Sequence, residues 1–202
     1  MLNVVNKTVF KRAIHFFIFG VALTVIFTII TFIINPDPKE ILEKANTRIP
    51  DFVKESEGIY LVWAYIVNNG FMVPLQMLIL ALLPIQYLYV INIITTVVFP
   101  GILFGIVLHV NFKTGVEIII STIPHYSFEV FAFCLFAAIL FELNKAIRIK
   151  IRNLYKKDKV ELPLIKKFLE TIKVYVVLSL PLLIIAAFLE TYIPHIIFNL
   201  FQ

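Results

Sequence analysis

His125 and Glu129 stand four residues apart in an otherwise apolar stretch, Ile123-Pro124-His125-Tyr126-Ser127-Phe128-Glu129. On a helix this spacing puts both side chains on one face. Three kinds of chemistry fit the pair. It can bond to itself, to backbone groups and to Asn side chains, and so lock helices together as polar residues do inside membranes. It can form a docking or conduction site, the default meaning of an ionisable residue within a membrane. With Glu190 or His109 added, it can supply ligands to a metal ion. No HExxH is present, so the metal candidates His125, Glu129 and Glu190 rest on residue type and the four-residue spacing alone. Ser127 lies between the pair, but a Ser/His/Glu triad must converge in space, which neighbours on one helix do not do.

The elements that carry these residues follow from composition. The chain is 60% hydrophobic and only 15% charged, where a soluble domain has about 25% charged residues. The fold class expected is all-α: a polytopic membrane helix bundle of five transmembrane helices plus an external amphipathic helix, in a single domain over 1–202. A span needs about 20 apolar residues, and the candidates are 13–34, 71–91, 94–110, 123–141 and 171–193. The first is long for a signal sequence and lacks a small-x-small cleavage site. Pro84 and Pro100-Gly101 fall in the second and third spans. Such breaks are tolerated in membranes where protein or a polar cavity satisfies the freed groups. A re-entrant segment within 59–110 is the alternative to two full spans.

Charge sets the orientation. Lys7, Lys11 and Arg12 precede the first span, and nine basic residues fall in 142–168, among them Lys145, Arg148, Lys150 and Arg152. The positive-inside rule places both segments in the cytoplasm. The expected location is the plasma membrane, multi-pass, with the N-terminus cytoplasmic and the C-terminus external. The net charge of +5 is therefore topological. No nucleic-acid partner is expected, because too few aromatics interleave with the basic run. Lys145, Arg148, Lys150 and Arg152 are expected to face lipid, each worth about 1 kcal/mol near an anionic surface.

The segment 35–67 is expected outside, with acidic residues outnumbering basic ones. Asp37-Pro38-Lys39-Glu40 has the form of a helix start. A later amphipathic stripe brings Tyr60, Trp63 and Tyr65 to headgroup level. On this topology Asn68, Asn69, His109, His125, Glu129, Glu190 and His195 all fall in the outer half. Glu129 lies roughly 9 Å below the start of its helix. No comparable polar cluster is expected in the inner half. Cys134, the lone cysteine, reads as a small buried hydrophobe. There is no phosphate loop, and neither a cofactor nor catalysis is expected. Gly101-x-x-x-Gly105 can pack either a second copy in a homodimer or a helix of the same chain.

These residues resemble the stage II sporulation protein M family of membrane proteins. The resemblance rests on Ile66-Val67-Asn68-Asn69, on Pro124-His125 followed by Glu129, and on Ala186-Ala187-Phe188-Leu189-Glu190. It rests also on the five-span layout with a basic segment before the last helix. It covers about residues 60–195. The family usually has glycine after Pro-His, where this chain has Tyr126, and more glycines in the second and third spans. The resemblance implies a non-enzymatic scaffold or complex subunit. Its implied settings are cell-envelope remodelling, or secretion of, or self-protection against, a peptide such as a circular bacteriocin. Implied partners are membrane lipids and other membrane or envelope proteins, such as an ABC-type transporter or a cell-wall hydrolase. The alternatives to a scaffold are a small transporter or channel-like subunit that uses the outer carboxylates, and a metal-binding intramembrane enzyme.

Overall fold

Asn6 and Asn35 bracket the first helix, α1 (Lys7–Ile34). The Asn6 side chain accepts from the Thr8 N–H at 3.2 Å. Asn35 ends the helix in the left-handed region, which Asn tolerates better than most residues. The structure is a computed structural model that describes residues 6–48, 50–154 and 163–200. Among these there is helix and no strand. Five helices are long and apolar enough to cross a membrane: Lys7–Ile34, Gly58–Leu82, Leu88–Val110, Phe112–Arg152 and Leu164–Pro194.

Two short helices, α2 (Pro38–Arg48) and α3 (Asp51–Lys54), follow α1. The second long helix then starts at Gly58, which turns the chain with a positive φ of 55°. It comprises α4 (Gly58–Val67), a π-helical turn (Asn68–Met72) and α5 (Val73–Leu82). The expected span 71–91 is thus displaced towards the N-terminus, and 58–67 belongs to this helix rather than to a separate ledge over 35–67. Pro84 explains the early end. It drives Leu83 into an extended conformation, φ −71° and ψ 141°, which stops the helix.

The third helix is α6 (Ile91–Val110), preceded by a 3₁₀ turn at Leu88–Val90. A single extended residue, Asn111, separates it from α7 (Phe112–Arg152). The Asn111 side chain accepts from the Thr114 N–H at 3.0 Å and caps α7. Gly115 makes this abrupt reversal feasible, because a Cβ there would lie 2.8 Å from the Leu108 backbone. The fourth span therefore starts at Phe112, not near 123. Its 41 residues reach about 60 Å, twice a hydrocarbon thickness of about 30 Å. Residues 142–152 of the basic segment continue it. Lys156, Lys157 and Lys159 lie outside the described residues. The last long helix runs through α8 (Leu164–Val174), a π-helical turn (Tyr175–Ser179) and α9 (Leu180–Leu200).

The long helix α7 is the axis of the bundle, and every residue of 132–140 is buried. On one side it packs against α1 and α6, on the other against α5, α8 and α9. The α1–α6 contact is backbone to backbone. A Cβ on Gly101 would lie 2.6 Å from the Thr24 carbonyl oxygen, and one on Gly105 equally close to that of Thr28. The Gly101-x-x-x-Gly105 motif thus packs a helix of its own chain. By contrast α5 scarcely touches α6, and a cleft opens between these two sides of the bundle.

Candidate functional site

The cleft has a cavity volume of about 610 Å³. One wall is Tyr65, Asn68, Asn69 and Val73 from the second long helix. The other is a face of α6, from Thr95 and Thr96 through Phe99 and Leu103 to Val107. The floor is α7, with His125, Tyr126 and Glu129, and α9 adds Glu190. Pro50 and Val53, beside and within α3, line one end. Of the expected polar cluster, His125, Glu129, Glu190, Asn68 and Asn69 are therefore brought together.

His109 is not among them. It is exposed at the end of α6, with Nδ1 3.2 Å from the Phe32 carbonyl oxygen. The side chain of His195 lies outside the described residues. The cluster also sits further along its helix than expected. Glu129 follows the start of α7 at Phe112 by seventeen positions, about 26 Å, and not roughly 9 Å below a start near 123. Its neighbour Val130 approaches the site of a Cβ on Gly20, in the middle of α1.

Two π-helical turns shape the cleft on the side of the second long helix. Each precedes a proline, Pro74 or Pro181. Proline has no N–H, so Pro74 leaves the carbonyl of Gly70 without its ladder donor. The Tyr175 hydroxyl, from the other π turn, donates to that carbonyl. The paired turns fasten the last helix to the second and bring Asn68 and Asn69 to the cleft, with Asn68 Nδ2 donating to Asn69 Oδ1 at 2.7 Å. On the opposite side the Thr24 hydroxyl donates to the Val97 carbonyl at 2.8 Å and is paired with the Tyr126 hydroxyl. Tyr126, the departure from the family pattern, thus joins α7 to α1.

Several cleft hydroxyls are occupied locally: Thr95 and Thr96 donate to the Asn92 carbonyl, and Thr122 to that of Ile118. The ionisable groups are not. Tyr65 lies close to Glu190, yet Glu190 Oε2 and His125 Nδ1 are buried without a hydrogen-bond partner among the described residues. The two carboxyl groups are close enough to interact electrostatically. No three His, Cys, Asp or Glu side chains among the described residues are grouped to hold a metal ion. The metal candidates His125, Glu129 and Glu190 therefore share a cleft without forming a ligand set.

The expected aromatic band divides. Tyr60 and Trp63 are 76% and 62% exposed on the outside of α4, whereas Tyr65 turns inward to Glu190. The helical period of about 100° per residue accounts for this, since 60 and 63 share a face and 65 does not. Tyr65 and Tyr126 are thus site residues that the sequence reading assigned elsewhere or left out. Their signal was the helical register with Asn68-Asn69 and with His125.

The opposite end of the bundle also holds a polar network, contrary to expectation. Arg12 donates to Glu142 at 2.7 Å and to the Ala138 carbonyl at 3.3 Å, and lies 3.8 Å from the centre of the Phe141 ring. Buried Asn144 donates from Nδ2 to the carbonyls of Ala81 at 2.9 Å and Leu83 at 2.7 Å, with Ile85 at 3.4 Å. It thereby satisfies carbonyls that the early end of α5 leaves open. Arg148 donates to Asn144 Oδ1 at 3.0 Å and is half-buried, while Lys145, Lys150 and Arg152 are exposed.

These features define a class: a polytopic α-helical bundle, with helices able to cross a membrane, built around a polar cleft. The family model for stage II sporulation protein M matches residues 13–194, and the chain belongs to that family. No curated protein and no solved structure matches it.

Proposed function

We propose that the protein is a non-enzymatic subunit of a membrane complex, and that its cleft seats a membrane-embedded segment of a partner protein. The observation behind this reading is the cleft's make-up: apolar walls, with buried polar atoms of His125 and Glu190 that no described residue satisfies. Unmet buried polar groups cost about 1–3 kcal/mol each, so a partner that supplies donors and acceptors gains from entering. The orientation proposed follows the positive-inside rule, with the basic end and N-terminus in the cytoplasm and the C-terminus outside. The setting proposed is cell-envelope remodelling, or secretion of, or self-protection against, a peptide such as a circular bacteriocin. A cell-wall hydrolase or an ABC-type transporter is the kind of protein the complex would contain.

The test is recovery of partners from native membranes by the tagged chain, wild type beside Glu129→Gln and Glu190→Gln, at matched expression. A stoichiometric partner lost in both variants, with their thermal stability unchanged, supports the reading. A partner retained in both refutes the cleft as the docking site.

A second reading, a small transporter or channel-like subunit, is favoured by one feature. Carboxyls from two helices meet deep in the bundle, where ionisable residues commonly mark ion or proton paths. Reconstituted protein would then carry a pH- or ion-dependent flux that Glu129→Gln abolishes.

A further inference from the structure

A second cavity, of about 330 Å³, lies at the basic end against α7 and is lined by Phe141, Lys145, Arg148, Ile149 and Arg152. These positions recur at intervals of three and four and so share one helix face. Among the described residues the lining holds three cations and no acid. The carboxylate of Glu142, next to Phe141 in the chain, is engaged with Arg12. Arg148 differs from the two exposed cations. Its Nε is held by Asn144 Oδ1, which fixes the plane of the guanidinium, and no described residue accepts from its terminal nitrogens. A planar fork held this way suits the oxygens of a phosphate.

The apolar part of the lining identifies the source of that phosphate. Ile149 would be idle against a soluble anion, but it suits the glycerol and first methylenes of a lipid, beside Phe141, whose ring also carries Arg12. The cavity also begins where the fully buried run of α7 ends, at 140, and level with Arg12 near the start of α1. We propose that this cavity is a headgroup site for one anionic phospholipid, with Arg148 as its oriented ligand and Lys145 and Arg152 as its flanking charges. Basic pockets at the cytoplasmic ends of membrane helices take such headgroups. Occupancy is felt further away. Asn144, which holds Arg148, also holds the carbonyls that end α5, so a bound lipid stiffens the turn between α5 and α6. This site is independent of what enters the cleft.

The test uses the full chain in nanodiscs of phosphatidylcholine, with and without phosphatidylglycerol, and a third arm of phosphatidylcholine with inorganic phosphate in the buffer. The readouts are the thermal unfolding midpoint, lipid retained in native mass spectrometry, and amide exchange over 83–90. The variants are Arg148→Gln and the double change Lys145→Gln/Arg152→Gln, which leaves the Asn144 bond intact and guards against a folding defect. The expected result is a higher midpoint, one retained phosphatidylglycerol and slower exchange over 83–90 for the wild type. Each cation removed should weaken retention about fivefold. If the double variant gains as much from phosphatidylglycerol as the wild type does, a headgroup site is overturned. If inorganic phosphate alone reproduces the gain, the lipid assignment is overturned in favour of a soluble anion.

Discussion

The two ends of α7 treat their ionisable groups differently. Near the basic end the charged groups meet partners, Arg12 with Glu142 and Arg148 Nε with Asn144, which also has the carbonyls after α5, while the buried Tyr89 hydroxyl has no partner among the described residues. In the cleft around Glu129 the Thr95, Thr96 and Thr122 hydroxyls are satisfied, but Glu190 Oε2 and His125 Nδ1 have no partner among the described residues. Inside a membrane an unmet polar group is expensive. A network that closes its own bonds is accounted for by stability. One that does not is where the proposed partner would bind. Polarity in a membrane helix therefore divides into two kinds, and the hydrogen bonds tell them apart where the residue types do not.

The strongest way to break this comparison is Asn144→Leu. It strands the carbonyls of Ala81 and Leu83 and releases Arg148, and should destabilise the protein by about 2–4 kcal/mol. Thermal unfolding in detergent would read this, and a change under about 0.5 kcal/mol would remove the structural role. Next comes Gly105→Ala, which sets a Cβ against the Thr28 carbonyl and Thr31 and should cost about 1–3 kcal/mol by forcing α1 from α6. Arg12→Gln should cost about 1 kcal/mol, since the pair with Glu142 is only partly buried. Glu129→Gln and Glu190→Gln should have the smallest effect, within about 0.5 kcal/mol of wild type. Their defect should appear in partner recovery or flux. Cleft variants as destabilising as Asn144→Leu would make both networks structural and erase the distinction.

The class and the number of long helices were legible because hydropathy depends on composition over about 20 residues, which local detail does not disturb. The grouping of His125, Glu129, Glu190, Asn68 and Asn69 was legible for a similar reason, as each stands out in an apolar run. Helix limits were not. The start of α7 at Phe112 depends on the Asn111 cap and on Gly115, and an apolar count gives weight to neither. The distance of Glu129 from the start of its helix was misjudged as a direct result. The network around Asn144 was hidden because a neutral residue in a basic run reads as solvated surface. Its partners are backbone carbonyls 59–63 residues away in sequence, and carbonyls carry no signature in the sequence.

The single-residue reversal at Asn111 has a mechanical consequence. With so short a joint, and with Gly101 and Gly105 seated on α1, the helices α1, α6 and α7 form one stiff frame. The other side is joined differently: the π turn between α4 and α5 is tied to the π turn before α9 by the Tyr175–Gly70 bond, and the end of α5 is tied to α7 by Asn144. A π turn holds one residue more than its neighbours need, and can pass that slack along the helix as a one-residue slip of register. The cleft thus has one wall set by close backbone packing and another carried on two π turns that meet at Tyr175.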